Sequence, residues 1–271
     1  MTRLTQSYID KIQNLLQQIE KDKDIKIIFA IENGSRSWCM ASKDSDYDVR
    51  FVFYRSVKNY ISLSQEKDVI TAAYDKDLQP CNVQGSLIDI SGFDIFKYLK
   101  LLLTSNPTTI EWLCSPIVYY GNNNLPLREY MRNNFNQERL FKHYFSLFRN
   151  NYREFIQQAK AITYKKYLYS MRGLLNAKYV YEFDKIPPLD LRQTVKEIKN
   201  IVPAEVYEKI QEVIEIKSQG LERDVILRIP EFDEFFNVEL QNEYSNFNSR
   251  KPDVEVFNNF LRKQIIHPYL T

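Results

Sequence analysis

Gly34-Ser35-Arg36, followed by Asp46-Tyr47-Asp48-Val49-Arg50-Phe51-Val52-Phe53-Tyr54, is the most informative stretch of this 271-residue chain. Residues 47–54 are rich in β-branched and aromatic side chains, which predicts a strand. Successive side chains of a strand project to opposite faces, so Asp46, Asp48 and Arg50 share one face, while Val49, Phe51 and Phe53 share the other. The stretch therefore predicts a glycine turn beside a strand that carries two carboxylates on one side.

This pattern favours metal-dependent transfer of a nucleotide from an NTP. Hard divalent cations prefer carboxylate oxygens, and two Mg²⁺ ions about 4 Å apart stabilise the charge that accumulates during phosphoryl displacement. Asp46 and Asp48 are the predicted ligands of both ions, with Mn²⁺ as an alternative metal. Gly34 and Ser35 are predicted to offer backbone N–H groups and a hydroxyl to the β- and γ-phosphates.

A third carboxylate is predicted at Asp89, which interrupts the apolar strand pattern Leu87-Ile88-Asp89-Ile90. A charge inside an apolar strand costs free energy unless it is paired or binds a metal. Asp89 is therefore the predicted third ligand and helps to deprotonate the acceptor; the alternative is a strand residue held in a salt bridge, or a charge at a helix N-terminus. The competing candidate, Asp94, falls in the first turn of a predicted helix, where an acid favours the helix dipole without any catalytic role.

Three charged residues near this site have two interpretations each. Arg36 and Arg50 are predicted to contact the nucleotide, or alternatively to form structural pairs with the carboxylates. Glu32, at the end of the first strand, either supports the turn or lies near the metals.

A second group of predicted nucleotide contacts lies in the most basic segment of the chain, where tyrosines alternate with Lys165, Lys166 and Arg172. The i, i+4, i+7 spacing places Lys165, Tyr169 and Arg172 near one helix face. One interpretation is that this face binds a triphosphate or an RNA end, with aromatic rings stacking on a base. The other is that it is an ordinary solvated helix surface.

Hydrophobic periodicity predicts an α+β half followed by an all-helical half. The first half has a helix over 5–21, strands over 25–31, 47–54 and 84–90, a helix over 94–104 and a capped helix at Asn106-Pro107. Beyond Gly121 no strand is predicted, and helical patterns cover 127–181, 203–219, 230–243 and 252–266. The predicted domains are 1–122, catalytic, and 123–271, helical and substrate-binding.

Composition excludes several classes of protein. The net charge is only +2, so any nucleic-acid contact must come from a local patch. Three widely spaced cysteines and two histidines argue against a disulfide framework or a structural zinc site, and a reducing cytoplasm is the expected setting. No signal peptide or membrane span is expected from the pattern of apolar residues.

The sequence resembles a known family at the glycine turn and the strand that follows it. The matching blocks are Glu32-Asn33-Gly34-Ser35-Arg36-Ser37-Trp38 and Ser42-Lys43-Asp44-Ser45-Asp46-Tyr47-Asp48-Val49-Arg50-Phe51. Further matches follow in order: Asp89, Ser91-Gly92-Phe93-Asp94, Lys97, Ser105-Asn106-Pro107, Glu111-Trp112-Leu113, Ser115-Pro116, Lys165-Lys166-Tyr167-Leu168-Tyr169 and Arg172. These blocks are similar to the predicted nucleotidyltransferases of the RNA-repair-pathway DNA-polymerase-beta-like family, over roughly residues 30–180.

The resemblance implies a polymerase-beta-type core, meaning a small mixed sheet with flanking helices, and Mg²⁺-dependent chemistry on an NTP at an RNA end. Two positions depart from the family pattern: Cys39 stands where a glycine is usual, and Phe93 where a tryptophan is usual. Neither is a proposed ligand, so both bear on local packing. Two alternatives stay open: the same chemistry on a protein or small-molecule acceptor, and a non-catalytic nucleotide-binding or antitoxin-like module.

Overall fold

The computed structural model describes residues 6–42, 45–64, 66–123, 126–159, 161–220 and 224–266. Contacts divide the chain into two compact units. The first comprises the described residues of Met1–Ser37, Ser45–Phe135 and Lys251–Thr271, and the second those of Trp38–Asp44 and Asn136–Arg250. The boundary predicted at residue 122 falls inside the first unit. That unit continues to Phe135 because the helix after residue 125 packs on the helix before Ser115, and it takes in the last helix of the chain.

In the described ranges, seven strands form two sheets. The strands are β1 (Lys26–Glu32), β2 (Tyr47–Tyr54), β3 (Val69–Tyr74), β4 (Ile88–Asp94), β5 (Val118–Gly121), β6 (Ile162–Thr163) and β7 (Val225–Ile226). The first unit contains a five-stranded sheet of order β3-β4-β2-β1-β5, in which β2 and β4 are parallel and the other pairs antiparallel. The predicted α+β class with a small mixed sheet is confirmed.

The part of the chain that the structure describes also contains twelve α-helices. They are α1 (Gln6–Lys23), α2 (Gly34–Ser37), α3 (Val57–Tyr60), α4 (Ile95–Leu103), α5 (Pro107–Cys114), α6 (Pro126–Asn134), α7 (Gln137–Phe155), α8 (Tyr164–Phe183), α9 (Leu191–Glu197), α10 (Ala204–Ser218), α11 (Pro230–Gln241) and α12 (Val254–Ile265). Within the described ranges, none of them combines the length and the apolarity that a transmembrane helix requires.

The alternation predicted for β2 decides which of its faces forms the core. Tyr47, Val49, Phe51 and Phe53 are all buried and pack with the apolar side of α1. Fully burying a side chain of this kind contributes roughly 1.5–3 kcal/mol relative to leaving it in water. The opposite face of the strand, at its start, is left to the polar side chains, as predicted.

The third predicted strand is shifted along the chain. It was expected over 84–90, with Ser91-Gly92 as its end, but β4 runs from Ile88 through Gly92 to Asp94. Residues Val83–Gly85 form a short 3-10 turn instead. Gly92 lies opposite Phe51 in the parallel register, and a Cβ atom there would lie 2.2 Å from Phe51 Cζ. This glycine therefore makes room for a ring and does not mark a turn.

Side-chain caps begin the next two helices, as predicted for Asn106, whereas Asp94 was predicted inside the first turn and instead caps α4 from the end of β4. The Asp94 carboxylate accepts a hydrogen bond from the Phe96 N–H at 2.9 Å, and the Asn106 side chain accepts one from the Thr108 N–H at 2.9 Å. Asp94 also contacts Arg55 at 3.3 Å and Tyr60 at 2.8 Å. Its role is that of a helix cap with structural partners, which agrees with the simpler interpretation.

The second unit is mainly helical, although the pattern over 127–181 is not one helix. The range 127–181 is divided among α6, which belongs to the first unit, and α7 and α8, which belong to the second. Helices α7 and α8 begin at the capping side chains of Asn136 and Thr163. The expectation of no strand beyond Gly121 was wrong, because β6 and β7 pair. Two-residue strands are too short to show any periodicity. Helices α7 and α8 pack closely, since a Cβ atom on Gly173 would lie 2.8 Å from the Phe148 backbone nitrogen.

Candidate active site

The turn between β1 and β2 is built around Gly34. Its φ of +61° lies in the left-handed region that only glycine adopts without strain. A Cβ atom here would lie 1.9 Å from Asp48 Oδ2, so the turn backbone lies directly against that carboxylate. The Asn33 N–H donates to the Asp48 carbonyl oxygen at 2.8 Å and fixes this approach. Ser35 follows in the single helical turn α2.

Asp48 and Asp89 lie side by side, because they are partners in the parallel pairing of β2 with β4. We call them the carboxylate pair. Arg50 joins them: its Nη2 donates to Asp48 Oδ1 at 3.2 Å and to Asp89 Oδ2 at 2.7 Å. The side chains of Asp48 and Asp89 keep 32% and 21% of their surface exposed, so both are open to solutes. Of the two interpretations of Arg50, the structure shows the ion pairs.

The remaining predicted ligand, Asp46, is placed differently. It precedes the first residue of β2 and is exposed. Its carbonyl oxygen accepts a hydrogen bond from Arg36 Nε at 3.1 Å, and the Arg36 guanidinium lies 4.0 Å from the centre of the Tyr47 ring. Arg36 therefore holds the backbone just before the strand. The role of Asp46 as a metal ligand and that of Arg36 as a nucleotide contact stay predictions.

The donor chemistry of the carboxylate pair fits a divalent cation. Two adjacent carboxylates supply the hard oxygen ligands that Mg²⁺ prefers, and the Arg50 guanidinium already marks a position between them that attracts positive charge. Within the described ranges, no group of three or more His, Cys, Asp or Glu side chains is arranged to hold a metal ion. Asp48 and Asp89 are therefore the residues that would hold it, with Asp46 as the predicted addition.

Glu32 supports the carboxylate pair from the buried side. Its side chain is inaccessible to solvent, Oε1 accepts the Asp48 N–H at 3.1 Å, and Oε2 accepts the Tyr119 hydroxyl at 2.6 Å. Burial raises the pKa of Glu32 to about 8, although the hydrogen bonds from Tyr119 and Asp48 oppose the shift. Of its two interpretations, the structure shows support of the strand that bears Asp48.

The partners of Glu32 were missed in the sequence. Tyr119 lies on β5, which pairs with β1, and the Ser115 hydroxyl donates to the Glu32 carbonyl oxygen at 2.6 Å. A four-residue strand gives too short a pattern to predict, and Ser115 was noted only as the end of a helix. Val118, Tyr119 and Tyr120 are all apolar or aromatic, so the sequence gives no alternation that would mark Tyr119 as the buried one.

The buried Glu32 carboxyl predicts a pH-dependent stability. Its pKa rises from 4.5 to about 8 on folding, so the native state holds a proton that the unfolded chain releases. The stabilisation from this protonated carboxyl group is complete below pH 4.5 and is lost as the pH rises through about 8. Between about pH 5 and pH 9, the free energy of unfolding of the wild-type chain should fall by on the order of 2–4 kcal/mol more than that of Glu32→Gln. Thermal unfolding in EDTA measures this difference, and parallel curves for the two proteins would contradict it.

The predicted nucleotide contacts on α8 belong to the second unit. The Arg172 guanidinium is buried and lies 3.7 Å from the centre of the Trp38 ring. Lys165 and Lys166 are half-buried, with their ammonium groups 5.7 Å from the Tyr169 ring and 5.6 Å from the Phe155 ring. Contact of these three residues with phosphate stays a prediction.

The same basic segment contains two further lysines. Lys178 forms a buried ion pair with Glu239 at 2.7 Å, which is a structural role. Lys160 lies outside the described residues.

Comparison with known proteins agrees with this geometry. A model of the RNA repair pathway DNA polymerase beta family matches residues 9–263. The uncharacterized protein YcgL of Bacillus subtilis (strain 168) is 34% identical over 233 residues, which cover 85% of this chain and 85% of that protein. The match includes the glycine turn, the carboxylate pair and α8. The chain belongs to the RNA repair pathway DNA polymerase beta family.

Proposed function

We propose that this chain transfers a nucleoside monophosphate from an NTP to a hydroxyl acceptor and releases pyrophosphate, with an RNA end as the acceptor. The observation that carries the proposal is the carboxylate pair, in register on two parallel strands and in contact with a glycine turn. Membership of a polymerase-beta-like family suggests a nucleotidyltransferase and supports the same reaction.

The reaction forms one bond and breaks one. The acceptor oxygen bonds to the α-phosphorus, the bond from that phosphorus to the bridging oxygen breaks, and pyrophosphate leaves. Asp89, with 21% of its side chain exposed, is open to the acceptor and helps to take its hydroxyl proton. Asp48, Asp89 and Asp46 would hold two Mg²⁺ ions, which would supply positive charge to stabilise the developing negative charge.

The remaining residues orient the substrates. Gly34 and Ser35 offer backbone N–H groups and a hydroxyl to the terminal phosphates at the start of α2. Arg36 holds the loop that carries Asp46. Lys165, Lys166 and Arg172 neutralise the phosphates, while Arg50 offsets the mutual repulsion of the carboxylate pair.

Removal of the metal should abolish the reaction. We expect pyrophosphate release from an α-labelled NTP and a pool of RNA ends to stop in EDTA and to return when excess Mg²⁺ or Mn²⁺ is added, because the carboxylates alone cannot neutralise the transferred phosphoryl group. Undiminished turnover in EDTA would contradict the proposed site.

The same assay separates the acceptors. Label that enters RNA identifies an RNA-end transferase, whereas label that enters lysate protein or a small molecule identifies the same chemistry on another acceptor. NTP binding without release of pyrophosphate, whichever acceptor is supplied, identifies a non-catalytic module and overturns the proposal.

A further inference from the structure

A row of four cations runs along one side of α7, in the second unit. Arg139, Lys142, Arg149 and Arg153 are all exposed, and we call them the basic stripe. At 100° per residue they fall within an arc of about 80°, and at 1.5 Å per residue the row is about 21 Å long. Leu140, Tyr144 and Phe148 are buried on the opposite side of the helix, so packing fixes the direction in which the stripe points.

Acidic side chains do not neutralise the stripe. Helix α7 lies wholly within the described residues, and the only other residue in the arc is Ser146. Lys142 pairs with Glu138 at 2.5 Å. Among the residues that the structure describes, Arg139, Arg149 and Arg153 form no ion pair.

Helix stability does not account for this arrangement. Arg149 and Arg153 are four residues apart, and Arg139 and Lys142 are three apart, so each pair places like charges next to each other on the helix surface, which is destabilising. Arg139 also lies in the first turn, where the helix dipole disfavours a cation. Only Arg153, in the last turn, interacts favourably with the dipole. The repulsion within the stripe is relieved when a polyanion binds.

We infer that the basic stripe is a docking surface for the sugar–phosphate backbone of single-stranded RNA. The row is straight and rigid, and arginine binds phosphate through a planar fork of donors. A membrane surface is a poorer fit, because interfacial helices place apolar side chains beside their cations and this arc contains none. The choice of RNA as the polyanion rests on the proposed function, whereas the stripe itself does not.

Fluorescence anisotropy with a labelled single-stranded RNA, without NTP or metal, tests the stripe. Neutralising two of its charges in Arg149→Gln/Arg153→Gln should raise the Kd about tenfold or more at about 50 mM salt. It should also make the plot of log K against log salt less steep by about 1.4, since each phosphate contact on a single strand contributes about 0.7. The matched control is Lys21→Gln/Lys23→Gln, which removes the same charge from exposed positions at the end of α1 and should leave both values unchanged.

Several outcomes overturn the inference. The wild-type chain does not bind RNA, or the stripe variant has the affinity and salt slope of the wild type. Alternatively, the control variant loses as much affinity as the stripe variant. Finally, the stripe variant still binds RNA but no longer binds an acidic protein or vesicles containing phosphatidylglycerol. Circular dichroism excludes misfolding, since removal of like charges should not lower the melting temperature.

Turnover then separates this surface from the proposed reaction. In the stripe variant the KM for a long RNA acceptor should rise while kcat and the reaction with a short acceptor stay unchanged. If the wild-type chain shows no turnover but RNA binding still depends on the stripe, the proposed function fails and the surface stands. If turnover occurs and the stripe variant behaves as wild type, the surface fails and the function stands.

Discussion

Asp48→Asn should reduce nucleotidyl transfer by on the order of a thousandfold or more, which corresponds to about 4 kcal/mol of transition-state stabilisation. The change keeps the shape of the side chain and removes its negative charge. Asp48 lies beside Asp89 and against the Gly34 backbone, so this carboxylate joins the proposed metal site to the glycine turn. Its N–H still donates to Glu32, and the strand should fold normally.

Pyrophosphate release with saturating Mg²⁺ measures this loss, with thermal unfolding as the check on folding. Asp22→Asn on α1 is the matched control, because it makes the same change at an exposed residue whose carboxylate accepts a hydrogen bond from Gln18. Retention of more than a tenth of the wild-type rate in Asp48→Asn would remove the carboxylate pair from the mechanism. Equal losses in both variants would show that net charge, not this site, controls the rate.

Gly34→Ala should damage both the fold and the activity. The left-handed φ costs an L-residue roughly 1–2 kcal/mol, and the added methyl group would overlap Asp48 Oδ2. Either the turn or the carboxylate must move, so we expect a loss of about 2–4 kcal/mol in stability and at least a hundredfold in rate.

Gly85→Ala is the matched control, because no atom lies within 4 Å of the Cβ position there and the residue is not in the left-handed region. Its melting temperature and rate should match those of the wild-type chain. A Gly34→Ala protein with native stability and full activity would show that the close approach of the turn to Asp48 is not required.

The polar face of β2 could be predicted from sequence because the period of a strand is local. The burial of Val49 and Phe51 and the exposure of Asp48 follow from alternation alone. The helix starts at Asp94 and Asn106 were equally predictable, since a cap involves only residues two or three positions away.

Features that depend on pairing between distant strands were not predictable. The register that sets Asp48 against Asp89 joins residues 41 positions apart, and only the fold shows it. The sequence predicts the end of a strand at Gly92, because the Phe51 ring that requires a glycine there belongs to a different strand. The burial of Glu32 depends on Tyr119, from a strand too short to show a pattern. Helix α9, with seven residues, was missed for the same reason.

The last helix of the chain has a consequence for biosynthesis. Helix α12 packs on α4 within the first unit, although about 150 residues, including Asn136–Arg250 of the second unit, separate them in sequence. During translation the sheet emerges early, but the surface of α4 that α12 covers stays exposed until α12 has also left the ribosome. We expect a chain truncated before residue 251 to aggregate, because that surface is then left uncovered.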